Sequence, residues 1–209
     1  MQSRSKLMVV GLSTAVALAA AVGSSSANRL SISHGNLWRA VFRPLRWNSG
    51  GLTVFACALT LEGSFHSATI RKIERLLIGH ITHASVGPCE TGTATVLTET
   101  LPWHVQYLGF RGRLPIIEGG VRLILVGLSL QIRDAIFGSL CLTRTTEEAP
   151  AGVIAEVEAE EAGGNRIVRA LAADTGPRIR CGSFNTEFAG TATVTEVPGG
   201  LRNLLVRLI

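Results

Sequence analysis

The chain reads as an all-β protein: an antiparallel β-sandwich or barrel-like domain with one or two short helices. Three observations predict this. Segments rich in Val, Ile, Thr and Leu alternate in polarity at the two-residue period of a strand. Clusters of Gly, Pro, Ser and Asn punctuate them at short intervals. Four cysteines follow a sequence that reads as an export signal, which suits two disulfides in a secreted β domain.

The strand segments come in order along the chain. Residues 52–61 form a ten-residue run of Thr, Val, Phe, Cys and Leu. Residues 93–100 alternate Thr with Ala, Val and Leu. Residues 121–132 are too apolar for an exposed element and suit a central strand. In residues 153–159, Ile154, Glu156 and Glu158 share one face, and Val153, Ala155, Val157 and Ala159 share the other. Residues 191–197 alternate again. Ser49-Gly50-Gly51, Glu118-Gly119-Gly120, Gly163-Gly164-Asn165 and Pro198-Gly199-Gly200 read as turns. Three segments are readable as helix or as strand: 36–42, 67–77 and 201–209. The first has a candidate N-cap in Asn36 and a terminator in Pro44. The last places Leu201, Leu204, Leu205 and Leu208 at helical spacing.

The N-terminus sets the compartment. Arg4 and Lys6 precede a 16-residue uncharged run over 7–22, and Gly23-Ser24-Ser25-Ser26-Ala27 follow. This is the grammar of a cleavable secretory signal, with cleavage expected after Ala27. The run is short for an uncleaved membrane anchor, which wants about 20 apolar residues. The expected organisation is a signal peptide over 1–27, an N-terminal segment over 28–50 and a β-rich domain over 51–209. An extracellular or cell-envelope location follows. The formal charge is +5, falling to +3 once Arg4 and Lys6 are removed. Lys6 and Lys72 are the only lysines, so arginine carries nearly all the basic charge. With 46% hydrophobic and 17% charged residues, the composition excludes a disordered chain. Nucleic acid is not an expected partner, because the exported chain is only weakly basic and carries no binding motif.

Cys57, Cys89, Cys141 and Cys181 have three possible connectivities. No C-x-x-C pair is present, which leaves zinc ribbons and thioredoxin-like chemistry without support. An internal similarity selects one pairing. Gly92-Thr93-Ala94-Thr95-Val96 recurs as Gly190-Thr191-Ala192-Thr193-Val194, each copy after a cysteine. If the chain consists of two related halves, about 51–118 and 119–209, the natural pairs are Cys57 with Cys89 and Cys141 with Cys181.

Candidate chemistry is sparse. No Gly-x-Ser-x-Gly elbow is present. His80-x-x-His83 would share a face on a helix, but points to opposite faces on the strand expected there. No metal and no cofactor is therefore expected. Glu147, Glu148, Glu156, Glu158, Glu160 and Glu161 read as a solvated, charge-guarded edge. Two binding segments stand out. Trp38, Arg39, Arg43, Arg46 and Trp47 mix aromatic and basic groups, as a segment on a cell-wall polymer or an anionic membrane surface would. Trp103, His104 and Tyr107 interleave aromatic and polar groups, as in a ligand cleft.

Cys57, the run Glu62-Gly-Ser-Phe-His-Ser67, Leu77-Ile-Gly79, Cys89, Gly92 and Leu101-Pro-Trp-His-Val105 through Leu114-Pro115 carry a resemblance. Over about residues 57–141 the chain resembles a group of uncharacterised secreted proteins of GC-rich actinobacteria. The resemblance implies export and carries no activity or site. The functional expectation is a secreted or envelope-associated, non-catalytic β protein. The alternative is a secreted hydrolase or small-ligand barrel enzyme using His66 or His104 with a glutamate.

Overall fold

The computed structural model describes residues 29–33, 36–49, 52–114, 116–136, 138–160, 164–172, 179–181, 184–197 and 204–209. The first strands are β1 (Arg29–Ser33), β2 (Leu37–Ser49), β3 (Leu52–Phe65), β4 (Thr69–Arg71), β5 (Leu77–Thr91), β6 (Thr93–Val96), β7 (Trp103–Arg113) and β8 (Ile116–Val126). They are followed by β9 (Ser129–Arg133), β10 (Leu140–Arg144), β11 (Ala151–Glu160), β12 (Gly164–Ala172), β13 (Ile179–Cys181), β14 (Phe184–Glu196) and β15 (Leu204–Leu208). The only helical element among the described residues is a three-residue 3-10 turn, Thr98–Thr100.

Eight strands close on themselves. β2, β3, β5, β7, β8, β11, β12 and β14 each pair antiparallel with the next in that series, and β14 pairs back onto β2. This is an up-and-down barrel, in which every wall strand has a partner on both sides. The seam is short. β12 pairs with β14 over residues 169–172 and with β15 over 165–167, along the same edge. The sheet forks there: β14 completes the barrel, while β15 leads away to β1 and β4. β6, β9 and β10 form a separate three-stranded sheet, linked to the barrel by the Ala135 N–H donating to the Val54 carbonyl.

Period-two alternation sends apolar side chains inward and polar ones outward. On β2, Trp38, Ala40, Phe42, Leu45 and Trp47 are buried, while Arg39, Arg43 and Arg46 are exposed. On β7, Trp103, Val105 and Tyr107 are buried, while His104 is exposed. The outer wall carries charged and polar residues such as Arg39, Glu62, His83, Glu156 and Arg169. A membrane-spanning barrel has the reverse pattern, apolar outward and polar inward. Among the described residues no helix is long and apolar enough to cross a membrane.

Several expectations need correction. The one or two short helices are not found among the described residues. Residues 36–42 enter β2, 69–71 form β4, and 204–208 form β15. In each, burial follows alternate residues: Leu204, Val206 and Leu208 are buried, and Arg207 between them is exposed. Pro44 ends nothing. It sits at a bulge where the register on both flanking strands skips residues 43 and 44, so its missing N–H costs no ladder bond. Glu118-Gly119-Gly120 is a bulge within β8, with φ of +67° and +79° at the two glycines. The run 121–132 is split at Gly127, φ +91°, into β8 of the barrel and β9 of the small sheet. β11 pairs with β8 over residues 151–155 and with β12 over 153–160, so Glu156, Glu158 and Glu160 lie beyond the pairing with β8.

The two similar pentapeptides occupy different places. One lies at β6 in the small sheet, the other within β14 of the barrel wall. The barrel also begins at β2, ahead of the boundary placed at residue 51. Cys57 and Cys89 stand opposite each other on β3 and β5 and form a disulfide. Cys141 is disulfide-bonded as well, and its strand β10 lies beside β13, which ends at Cys181. The side chain of Cys181 lies outside the described residues, as do His34 and residues 1–27, where a signal peptide is expected.

Candidate functional site

The barrel interior is not completely filled. A cavity lies on the side of the fork, with about 60 Å³ of space for the centre of a water-sized sphere. Its wall is drawn from the barrel and from β15. β2 supplies Trp38, Ala40 and Phe42, and β3 supplies Leu61 and Phe65. Val105, Leu123 and Leu125 come from β7 and β8, and Val153, Ala155, Ile167 and Ala170 from β11 and β12. Val194 of β14 and Leu204 of β15 complete it, one on each side of the fork. The lining presents no polar surface. Trp38 is the only lining residue with a polar side-chain atom. Its Nε1 is buried and has no hydrogen-bond partner.

The local sequence explains why a void persists here. Small residues, Ala40, Ala155 and Ala170, stand on three strands where a longer side chain would fill the space. The opposite end is packed by large rings. Trp47 lies against Phe188 at 4.7 Å between ring centroids and against Phe55 at 6.3 Å. An apolar void of this kind stays dry, because water entering it would find no partner. It can take an apolar ligand and offers no group for acid–base or nucleophilic chemistry.

The binding residues expected from sequence are divided between the two faces of the wall. Trp38, Trp47, Trp103 and Tyr107 are core residues, each less than a tenth exposed. Trp103 Nε1 donates to Thr100 Oγ1 at 2.8 Å, and burial pushes the Tyr107 phenol up to about 12. Of the expected set, only Trp38 lines the cavity. Arg39, Arg43 and Arg46 remain in a row on the outer face of β2. Arg39 Nε donates to Glu62 Oε1 at 2.7 Å, and Arg46 stands 3.7 Å from Glu90. Two of the three guanidinium groups therefore face carboxylates, which weakens the basic character of the strip.

The histidines form a cluster that the sequence reading missed. His80 does not group with His83, which is paired in register with Glu62. It stands instead beside His104 on β7 and His66 just after β3. His66 Nε2 and His80 Nδ1 are 2.8 Å apart, so one ring donates to the other and at least one is neutral. Ring centroids are 4.5 Å apart for His66 and His80, and 5.2 Å for His80 and His104. Partial burial, then the neighbouring His66 and His104, hold the His80 imidazole below its usual range. Among the described residues no histidine is hydrogen-bonded or ion-paired to a carboxylate. The signal for the cluster was strand register, since His80 lies opposite His104 only once β5 and β7 are aligned.

No protein-family model matches the chain, and no curated protein and no solved structure matches it.

Proposed function

We propose that this protein is a secreted or envelope-associated, non-catalytic β-barrel that binds a small apolar ligand in its interior. The wholly apolar cavity beside the fork carries the reading. Eight-stranded barrels are wide enough either to be filled by side chains or to hold one small ligand. Here the wall holds small residues at three lining positions, and the space left amounts to roughly four water-sized units. That volume fits a short hydrocarbon chain. The disulfides suit an oxidising compartment, in keeping with export. The outer arginine row supports an anionic surface as a secondary partner, reduced by its pairing with Glu62 and Glu90.

The reading is tested with a series of linear alcohols from butanol to decanol, followed by tryptophan fluorescence. Affinity should rise about fourfold for each added methylene until the cavity is full, and then level off. Replacing Trp38 by Phe should remove most of the fluorescence response, because Trp47 and Trp103 are packed away from the cavity. No response to any member of the series would overturn the proposal.

A further inference from the structure

His80 on β5, His104 on β7 and His66 in the turn after β3 stand together on the outer face of the barrel, away from the apolar cavity. Their donor set is uniform: three imidazoles, with no carboxylate bonded to any of them. Among the described residues no three potential ligands already meet at a single metal position. β3, β5 and β7 are consecutive in the wall, so His80 stands between the other two, and both His66 and His104 must turn toward it for the three to meet. A tetrahedral metal with imidazole bonds of about 2.0–2.1 Å places its nitrogens about 3.3 Å apart and its ring centres about 5.2 Å apart. The His80 and His104 rings already have that 5.2 Å separation. The His66 and His80 nitrogens, at 2.8 Å, need to open by about half an ångström to admit a metal between them. His66 lies in the exposed turn after β3, where a ring rotation displaces no core residue. The direct imidazole–imidazole hydrogen bond would be exchanged for two metal–nitrogen bonds, with the shared proton moving to the other nitrogen of the donor ring.

We propose that His66, His80 and His104 form a surface site for a borderline divalent transition metal, with Zn²⁺ and Cu²⁺ the fitting ions. Neutral imidazoles suit these metals, whereas Ca²⁺ and Mg²⁺ select oxygen ligands. Three protein ligands on an outer wall leave the fourth position open to water. The site is independent of the interior cavity, and either could exist without the other.

The test uses the full chain purified without a histidine tag and stripped with a chelator. Titration calorimetry with Zn²⁺ should give one equivalent bound. His80→Gln should weaken binding at least tenfold, and His66→Gln and His104→Gln should each weaken it measurably. His83→Gln, on the same strand but outside the cluster, should leave it unchanged. Pulsed electron paramagnetic resonance of the Cu²⁺ form should count three imidazole nitrogens. Circular dichroism checks that each variant keeps its β spectrum. Absence of stoichiometric binding, binding unaffected by His80→Gln, or a count of two imidazoles would overturn the proposal.

Discussion

Gly63 lies opposite Trp38 on the β2–β3 pair, and the indole rests directly over it. A Cβ at this position would fall 2.7 Å from Trp38 Cζ2 and would also meet the His80 carbonyl. Neither neighbour can move cheaply, since one lines the cavity and the other is backbone. Gly63→Ala should therefore destabilise the fold by about 1–3 kcal/mol, read as a lower urea midpoint at unchanged slope. Tyr107 offers a spectroscopic test of burial, because it is the only tyrosine in the chain. Its phenol is held up to about 12 in the folded state, against about 10 when unfolded. The folded protein thus keeps a proton that the unfolded chain releases, and stability should fall as pH rises from 10 to 12. Absorbance titration should find the native midpoint near 12 and a denatured midpoint near 10. Tyr107→Phe should remove the loss of stability over that window, and a native midpoint near 10 would show that the ring is not buried.

At the scale of elements, the Cys57–Cys89 bridge ties β3 to β5 at directly opposed positions. Its sequence separation is 32 residues. Replacing both cysteines by Ala should cost about 3.7 kcal/mol if unfolded-chain entropy dominates. Denaturant unfolding of the double variant measures this. Non-reducing peptide mapping should join Cys141 to Cys181. Strands were legible in the sequence where β-branched and apolar residues run together, as over 52–61, or alternate with polar ones, as over 153–159 and 191–197. The reading failed where backbone geometry interrupts the pattern. Gly119-Gly120 resembles a turn, but its positive φ values serve a bulge inside β8. Gly127 sits within a continuous apolar run, so nothing in hydrophobicity marks the change of sheet. In β2 the aromatic and basic residues fit a helical wheel as well as a strand, and Pro44 favoured the helix. Only pairing on both edges, with a shared bulge at Pro44, decides for the strand. The cavity and the histidine cluster depend on register between distant segments, which a single sequence does not display.

For the whole molecule, closure of the wall is what links sequence to proposed function. A chain of alternating strands can form a sandwich with a filled centre or a barrel with an interior. The pairing of β14 with both β2 and β12 makes it a barrel, and Ala40, Ala155 and Ala170 leave part of that interior open. The polar outer wall faces water, and the apolar interior is where ligand-binding energy is available. The most direct test is the affinity of the intact protein for butanol, whose chain of about four carbons matches the roughly four water-sized units of space, measured by calorimetry alongside the variant Ala155→Leu. Leucine at that position projects into the cavity and occupies the space proposed for the ligand. The account predicts binding with a negative heat-capacity change in the native protein. It also predicts at least a tenfold loss in the variant, which should keep its β circular dichroism. Equal affinity in the two proteins, or no binding to the native one, would contradict it.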